Sequence, residues 1–131
     1  MSFVVAKKAT LLIPSGPDPD GHHLFVVLTS PCTHGQCLLT SFSSVKPGLF
    51  HDKTCLVAPG EHEFITKDSF IEYRLSRVLR CDQIEKAVNG WLYTPKPAVS
   101  DELLERIRDG IEQSELTPRF VQEYFEKNKR I

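Results

Sequence analysis

The stretch "HHLFVVLTSPCTHGQCLLTSF", residues 22–42, decides the fold class, because it predicts two β-strands joined by a tight turn. The apolar segments His23–Thr29 and Gln36–Phe42 both contain the β-branched Val and Thr residues that suit a strand. Between them, "PCTHG" ends in Gly35, a residue type that favours turns. The stretch therefore predicts an antiparallel hairpin.

Shorter apolar segments on both sides of this hairpin predict further strands. They are a first strand at Thr10–Ile13, a fourth at Thr54–Val57, an extended piece at His62–Ile65 and a strand at Arg74–Arg80. Ser69 and Glu72 form a capping-box pattern, which predicts a short helical turn before the last strand, although the same segment also fits a strand. Closely spaced strands with tight turns favour a small antiparallel barrel over βαβ units.

Helical signals dominate the last third of the chain. A short helix is predicted from Asp82 to a stop at Asn89–Gly90, and "TPKPAV" then indicates a linker. Ser100 suits the N-cap of a second helix, and Thr117–Pro118 suits the start of a third. These helices are expected to cover the sheet or a partner.

Length and composition are those of one globular domain. The chain has 131 residues, of which 40% are hydrophobic and 25% charged, values that are ordinary for a soluble fold. We therefore predict a single mainly β, α+β domain over residues 1–131. Its barrel core is expected at 9–81, followed by a helical C-terminal extension at 82–131.

Charge and N-terminal sequence limit the classes of partner. The formal net charge of −1 does not fit a strongly basic nucleic-acid domain, so any polyanion site must be a local patch. The start "MSFVVAKK" lacks the long apolar stretch of a signal peptide, and no run reaches the roughly 18 apolar residues of a membrane span. These patterns predict a cytoplasmic protein without membrane association, whose four cysteines are free thiols.

The most metal-like string is "CTHGQC", with Cys32, His34 and Cys37. Structural zinc sites usually bring two close ligand pairs together, and here Cys55 and Cys81 lie far apart in the sequence. The pattern therefore favours a hairpin with buried cysteines, and we predict no metal and no cofactor.

Cys55 could instead serve as a thiol nucleophile, with His51 or His62 lowering its pKa. However, "TCLV" places Cys55 in an apolar run, where a free cysteine usually behaves as a core residue. The apolar setting favours a structural role.

Two histidines, His22 and His23, open the strand that follows the loop "SGPDPDG". Because side chains alternate along a strand, they face opposite sides of the sheet. A histidine that titrates near neutrality can act as general acid or base. The alternative is that both are solvent-exposed at a strand end.

Polar and basic residues gather at two other strand positions. Ser43, Ser44 and Lys46 lie close together in "FSSVKPG", where hydroxyls and an ammonium could hold a phosphate oxygen or be ordinary loop residues. Arg74 and Arg77 lie in the only dense basic run away from the chain ends, together with Arg80. On a strand, Arg77 takes the face opposite to Arg74, and a solvated or ion-paired edge is the alternative.

The order of these elements resembles the MazF/PemK (Kid-like) toxin family. The matching segments are "TLLIPSG", "PDPDG", "HHLFVVLTS", "CLLTSFSS" and, more loosely, "KDSFIEYRLSRVL", which together span roughly residues 9–90. The resemblance implies a small SH3-like antiparallel barrel with added helices and a possible homodimer. It also implies metal-independent cleavage of single-stranded RNA by a toxin that a partner antitoxin protein neutralises.

The chain departs from that family at two places. "HHL" stands where the family usually carries the arginine of an "RP"-type motif, so His23, or else His22, takes the place of that arginine. The helical pair from Ser100 onward also exceeds the usual family length. The chain would thus be a divergent member with an added C-terminal specialisation.

Cleavage of RNA through its 2′-hydroxyl needs a base, an acid and a cation for the developing charge. Our hypothesis assigns His23 as the base or acid, His62 as the other member, and Ser44 as a donor to a phosphate oxygen. Arg77 or Arg74 is the cation. The predicted substrate-binding residues are His22, Ser43, Lys46 and Arg74. The alternative is a non-catalytic barrel that binds a protein partner or nucleic acid in the same groove.

Overall fold

The computed structural model describes residues 3–17 and 21–131, which form an α+β fold with six strands and three helices. In chain order the elements are β1 (Thr10–Pro14), β2 (His22–Val27), β3 (Gln36–Ser44), β4 (Leu56–Val57), β5 (Ser69–Arg80), α1 (Cys81–Asn89), β6 (Thr94–Lys96), α2 (Asp101–Gln113) and α3 (Arg119–Asn128). The predicted mainly β, α+β class is confirmed at this level.

All six strands belong to one antiparallel sheet in the order β4-β5-β3-β2-β1-β6, curled into a half-barrel. The hairpin predicted from residues 22–42 is present, with Phe25 opposite Ser41 and Val27 opposite Leu39. The long β5 pairs with β3 over most of its length, but its register shifts between Leu39 and Ser41. Such an irregularity bends a strand, which contributes to the curl.

Side-chain alternation along β2 gives the sheet two apolar faces. Leu24 and Val26 belong to a core cluster that includes the buried residues of α2 and α3. Phe25 and Val27 belong to a second cluster with Ile84 of α1. The sheet is therefore covered by helices on both faces, which explains why successive residues of β2 and β3 are buried.

Three local predictions were wrong. The helical turn predicted at Ser69 is the start of β5, and the Ser69 hydroxyl donates a hydrogen bond to the carbonyl of Lys67 instead of capping a helix. The extended piece predicted at His62–Ile65 is a turn, in which Ile65 N donates to the carbonyl of His62. The linker predicted at "TPKPAV" contains β6. In β5 and β6, pairing with distant strands outweighs the local pattern.

The helix boundaries follow the predicted signals more closely. Ser100 is the N-cap of α2, where its hydroxyl accepts a hydrogen bond from Leu103 N at 3.1 Å. The first helix ends at Asn89, and α3 begins directly after Pro118. Within the described parts of the chain, no helix has the length and apolar character needed to cross a membrane.

One contact locks α2 onto the sheet. The hydroxyl of Tyr73, a fully buried residue of β5, donates a 2.8 Å hydrogen bond to the carbonyl of Ile107 in α2. The tyrosine ring occupies the space that a side chain at Gly110 would need. Burial raises the pKa of Tyr73 far above its usual value, so the phenol stays protonated and keeps donating this bond.

Candidate functional site

A cleft opens where β2 and β3 part. The ladder between these strands ends at Phe25 and Ser41. Beyond that point β2 continues to His22 beside β1, whereas β3 continues to Ser44 beside β5. The separation leaves a gap in the sheet, so both faces of the end of β2 border the opening.

Residues from four chain segments line this cleft, which has a volume of about 530 Å³. Strands β2 and β3 supply His22, His23, Leu24, Phe42, Ser43 and Ser44. The loop after β3 supplies Lys46, Leu49, Phe50 and His51. The segment that leads into β5, together with β5 itself, supplies Phe64, Ile65, Thr66, Lys67, Ser69, Phe70, Glu72 and Arg74. The cleft is thus built by distant parts of the chain.

The structure brings six of the eight predicted site residues to this one cleft. They are His22, His23, Ser43, Ser44, Lys46 and Arg74. Although His22 and His23 alternate along β2, both line the cleft, because β2 has no β3 neighbour at this end.

His62 and Arg77, the other two predicted site residues, do not line the cleft. His62 is buried; its Nε2 donates to the carbonyl of Pro97 at 2.6 Å, and its Nδ1 accepts from Phe64 N at 3.0 Å. Both ring nitrogens are therefore used in holding a turn. Arg77 lies over the ring of Phe25, 4.8 Å from its centroid, on the α1 side of the sheet.

A hydrogen bond fixes the orientation of His23. Its Nδ1 lies 2.5 Å from the hydroxyl of Ser15, which follows β1 on the neighbouring chain segment. Among the described residues, Nε2 of His23 has no hydrogen-bond partner. The Ser15 contact holds the ring, so Nε2 is the nitrogen that can exchange a proton with a ligand.

Cations outnumber carboxylates along the cleft. Lys46, Lys67 and Arg74 line it, and Glu72 is its one carboxylate among the described residues. Arg74 Nε lies 3.0 Å from Glu72 Oε1, but the arginine side chain is 64% exposed, so this pair is weak and open to exchange. The local positive patch that an anionic ligand requires is therefore present on a chain of near-neutral charge.

Aromatic residues lie beside these cations. Phe50 is 82% exposed and Phe64 is 44% exposed, values that are high for phenylalanine. Phe70 is buried, and its ring contacts that of His51 with 5.4 Å between centroids. The sequence around Phe50, Phe64 and Lys67 is that of an ordinary loop and does not mark them as site residues.

Asp52 anchors the loop that carries Phe50 and His51. This buried carboxylate accepts a 2.9 Å hydrogen bond from Thr54 N and a 2.5 Å hydrogen bond from the hydroxyl of Ser114, at the end of α2. Burial acts to raise the pKa of Asp52, but these hydrogen bonds outweigh it and hold the pKa below its usual value. The carboxylate therefore stays ionised and ties the cleft loop to the helical pair.

Replacing Asp52 by alanine should destabilise the protein by about 2 kcal/mol at pH 7, because the charge-assisted hydrogen bonds are lost. The folded pKa lies below the unfolded one, so this contribution is full above about pH 4 and disappears as the pH falls through the folded value. Urea unfolding of both proteins at pH 7 and pH 3 measures the difference. A gap that stays equal at both pH values would contradict this account, and Asp68→Ala, at an exposed loop aspartate, is the control.

The cysteines lie elsewhere in the fold. All four are free thiols; Cys32 is half-buried and the other three are buried. Cys55 does not line the cleft, and burial raises the pKa of its thiol, which disfavours a thiolate nucleophile. Within residues 3–17 and 21–131, no group of three or more His, Cys, Asp or Glu side chains could hold a metal ion.

Comparison with known proteins adds no family to this description. Neither a scan against protein-family models nor a search of curated proteins gave a match to the chain. Since a fold alone does not determine a function, the chemistry of the cleft has to carry the functional conclusion.

Proposed function

We propose that this protein binds single-stranded RNA in the cleft between β2 and β3 and cleaves it without a metal through the RNA 2′-hydroxyl. The observation that carries the proposal is the convergence of an imidazole, a hydroxyl and a guanidinium from three strands. These groups belong to His23, Ser44 and Arg74, and all three line the same cleft. They are the side-chain types that such a reaction requires.

A single strand suits the surface of the cleft better than a duplex does. The exposed rings of Phe50 and Phe64 can stack on bases, which only unpaired bases allow. Lys46, Lys67 and Arg74 can hold the phosphates between those bases. The presence of both exposed aromatic and cationic groups in one cleft therefore favours an unpaired polynucleotide.

In the proposed reaction each of these groups has one role. Nε2 of His23 accepts the proton of the 2′-hydroxyl, which then attacks the adjacent phosphorus. The Ser44 hydroxyl donates a hydrogen bond to a non-bridging phosphate oxygen, and Arg74 stabilises the charge that builds up there. The bond from phosphorus to the 5′-oxygen breaks as that oxygen takes up a proton, and the products are a 2′,3′-cyclic phosphate and a 5′-hydroxyl.

The proposal includes the partners that the MazF/PemK resemblance implies. Leu49 and Phe50 are 65% and 82% exposed at the rim of the cleft, and an apolar surface of this kind suits a protein partner. An antitoxin that covers this rim would prevent RNA from entering the cleft. We also propose a homodimer, and this proposal rests on the resemblance alone.

The central test is cleavage of a labelled single-stranded RNA by purified protein in the presence of a chelator. We expect fragments that end in 2′,3′-cyclic phosphate, and we expect no cleavage of the same RNA with 2′-O-methyl groups or of its duplex. Binding of RNA without cleavage would overturn the nuclease and favour the non-catalytic barrel. Absence of both binding and cleavage would overturn the RNA proposal altogether.

A further inference from the structure

The cleft contains a histidine on a wall that β2 does not form. His51 lies in the loop between β3 and β4, is half-buried and lines the cleft, as His23 of β2 also does. In a displacement at phosphorus, the attacking and leaving oxygens lie roughly in line on opposite sides of the phosphorus atom. A base and an acid for these two oxygens must therefore come from different walls.

The surroundings of His51 hold its ring without using its nitrogens. The ring packs against Phe70 at 5.4 Å between centroids, and the next residue, Asp52, is fixed by Ser114. Among the described residues, no hydrogen bond occupies either nitrogen of His51. This distinguishes it from His62, both of whose nitrogens are engaged in holding a turn.

We infer that His51 is the general acid of the cleft, which protonates the 5′-oxygen as it leaves; the inference rests on the proposed RNA cleavage. The 2′-hydroxyl gives its proton to Nε2 of His23, and the 2′-oxygen forms the new bond to phosphorus. The bond from phosphorus to the 5′-oxygen breaks, its electron pair goes to that oxygen, and the imidazolium of His51 supplies the proton. His23 ends protonated and His51 neutral, and proton exchange with water restores both.

A substrate whose leaving group needs no proton tests this assignment. We compare ordinary RNA with RNA that carries sulfur in place of the bridging 5′-oxygen, because a thiolate leaves without protonation. His51→Ala should lower cleavage of ordinary RNA by about 100-fold or more, but that of the sulfur substrate by less than about threefold. His23→Ala should lower the cleavage of both substrates.

Matched variants keep the result interpretable. His34→Ala removes an exposed histidine from the turn before β3, away from the cleft, and should leave both rates unchanged. His22→Ala should show no selective rescue by sulfur, because His22 lies on the β2 wall. His51→Gln keeps a planar polar group against Phe70 and should show the same cleavage rates as His51→Ala on both substrates. Thermal unfolding of each variant checks that it is folded.

The outcomes separate this inference from the proposed function. Wild-type protein that leaves ordinary RNA intact overturns both. Cleavage by wild type with equal losses on both substrates in His51→Ala overturns the acid role but leaves the nuclease standing. An unchanged rate in His51→Ala overturns any catalytic role for His51, and a selective rescue by sulfur in His22→Ala would move the acid to that residue.

Discussion

His23→Ala is expected to lower the rate of RNA cleavage by about 100- to 10,000-fold, the usual contribution of a general base or acid. The reason is that Ser15 holds His23 through Nδ1, and no hydrogen bond from a described residue occupies its Nε2. Binding should change little, because the proposed phosphate contacts involve Lys46, Lys67 and Arg74, which also line the cleft. The measurement is single-turnover cleavage of labelled RNA at saturating protein.

His34→Ala is the matched control for this variant, since it also removes one imidazole but from an exposed turn outside the cleft. A His23→Ala protein that cleaves within about threefold of wild type would rule out proton transfer by His23. A parallel fall in RNA affinity would instead assign His23 to binding.

Gly110→Ala should destabilise the protein by about 3 kcal/mol, although alanine is the better helix former by about 1 kcal/mol. An added Cβ would overlap the hydroxyl oxygen and ring of Tyr73. The ring has little room to move, because it is fully buried and its hydroxyl donates to the carbonyl of Ile107. The melting temperature should fall by about 10 °C, measured by calorimetry or circular dichroism.

A second background shows whether this clash is the cause. In a Tyr73→Leu protein, Gly110→Ala should cost much less than in wild type, because the atoms it meets are gone. Asp109→Ala, at an exposed position of the same helix, should change stability by less than about 0.5 kcal/mol. Equal costs of Gly110→Ala in both backgrounds would contradict the proposed clash.

The hairpin at residues 22–42 was predictable because its information is local. Apolar strands with β-branched residues and a turn at Gly35 are enough to pair β2 with β3. Once that pairing is expected, His23 and Ser43 are expected near the same end of the sheet. This is why most of the predicted site residues meet in one cleft.

The features that were missed depend on distant contacts. Ser69 and Glu72 fit a helix start, but pairing with β3 makes the whole segment a strand. Nδ1 of His62 accepts from the nearby Phe64 N, but the engagement of Nε2 depends on the carbonyl of Pro97, in the distant β6–α2 connection. His51 enters the cleft because its loop is tied to Ser114, a contact that no local pattern reveals.

The tie between Asp52 and Ser114 changes how the C-terminal helices should be regarded. Ser114 caps the end of α2 and at the same time holds the loop that carries His51. Arg106, also in α2, donates to Glu61 and to the carbonyl of Leu56, so a second loop depends on the same helix. Because both loops bond to α2, we expect the two loops and this helix to open together as one cooperative unit. If the cleft binds RNA as proposed, a protein bound to the outer surface of these helices would change access to the RNA site without contacting the cleft.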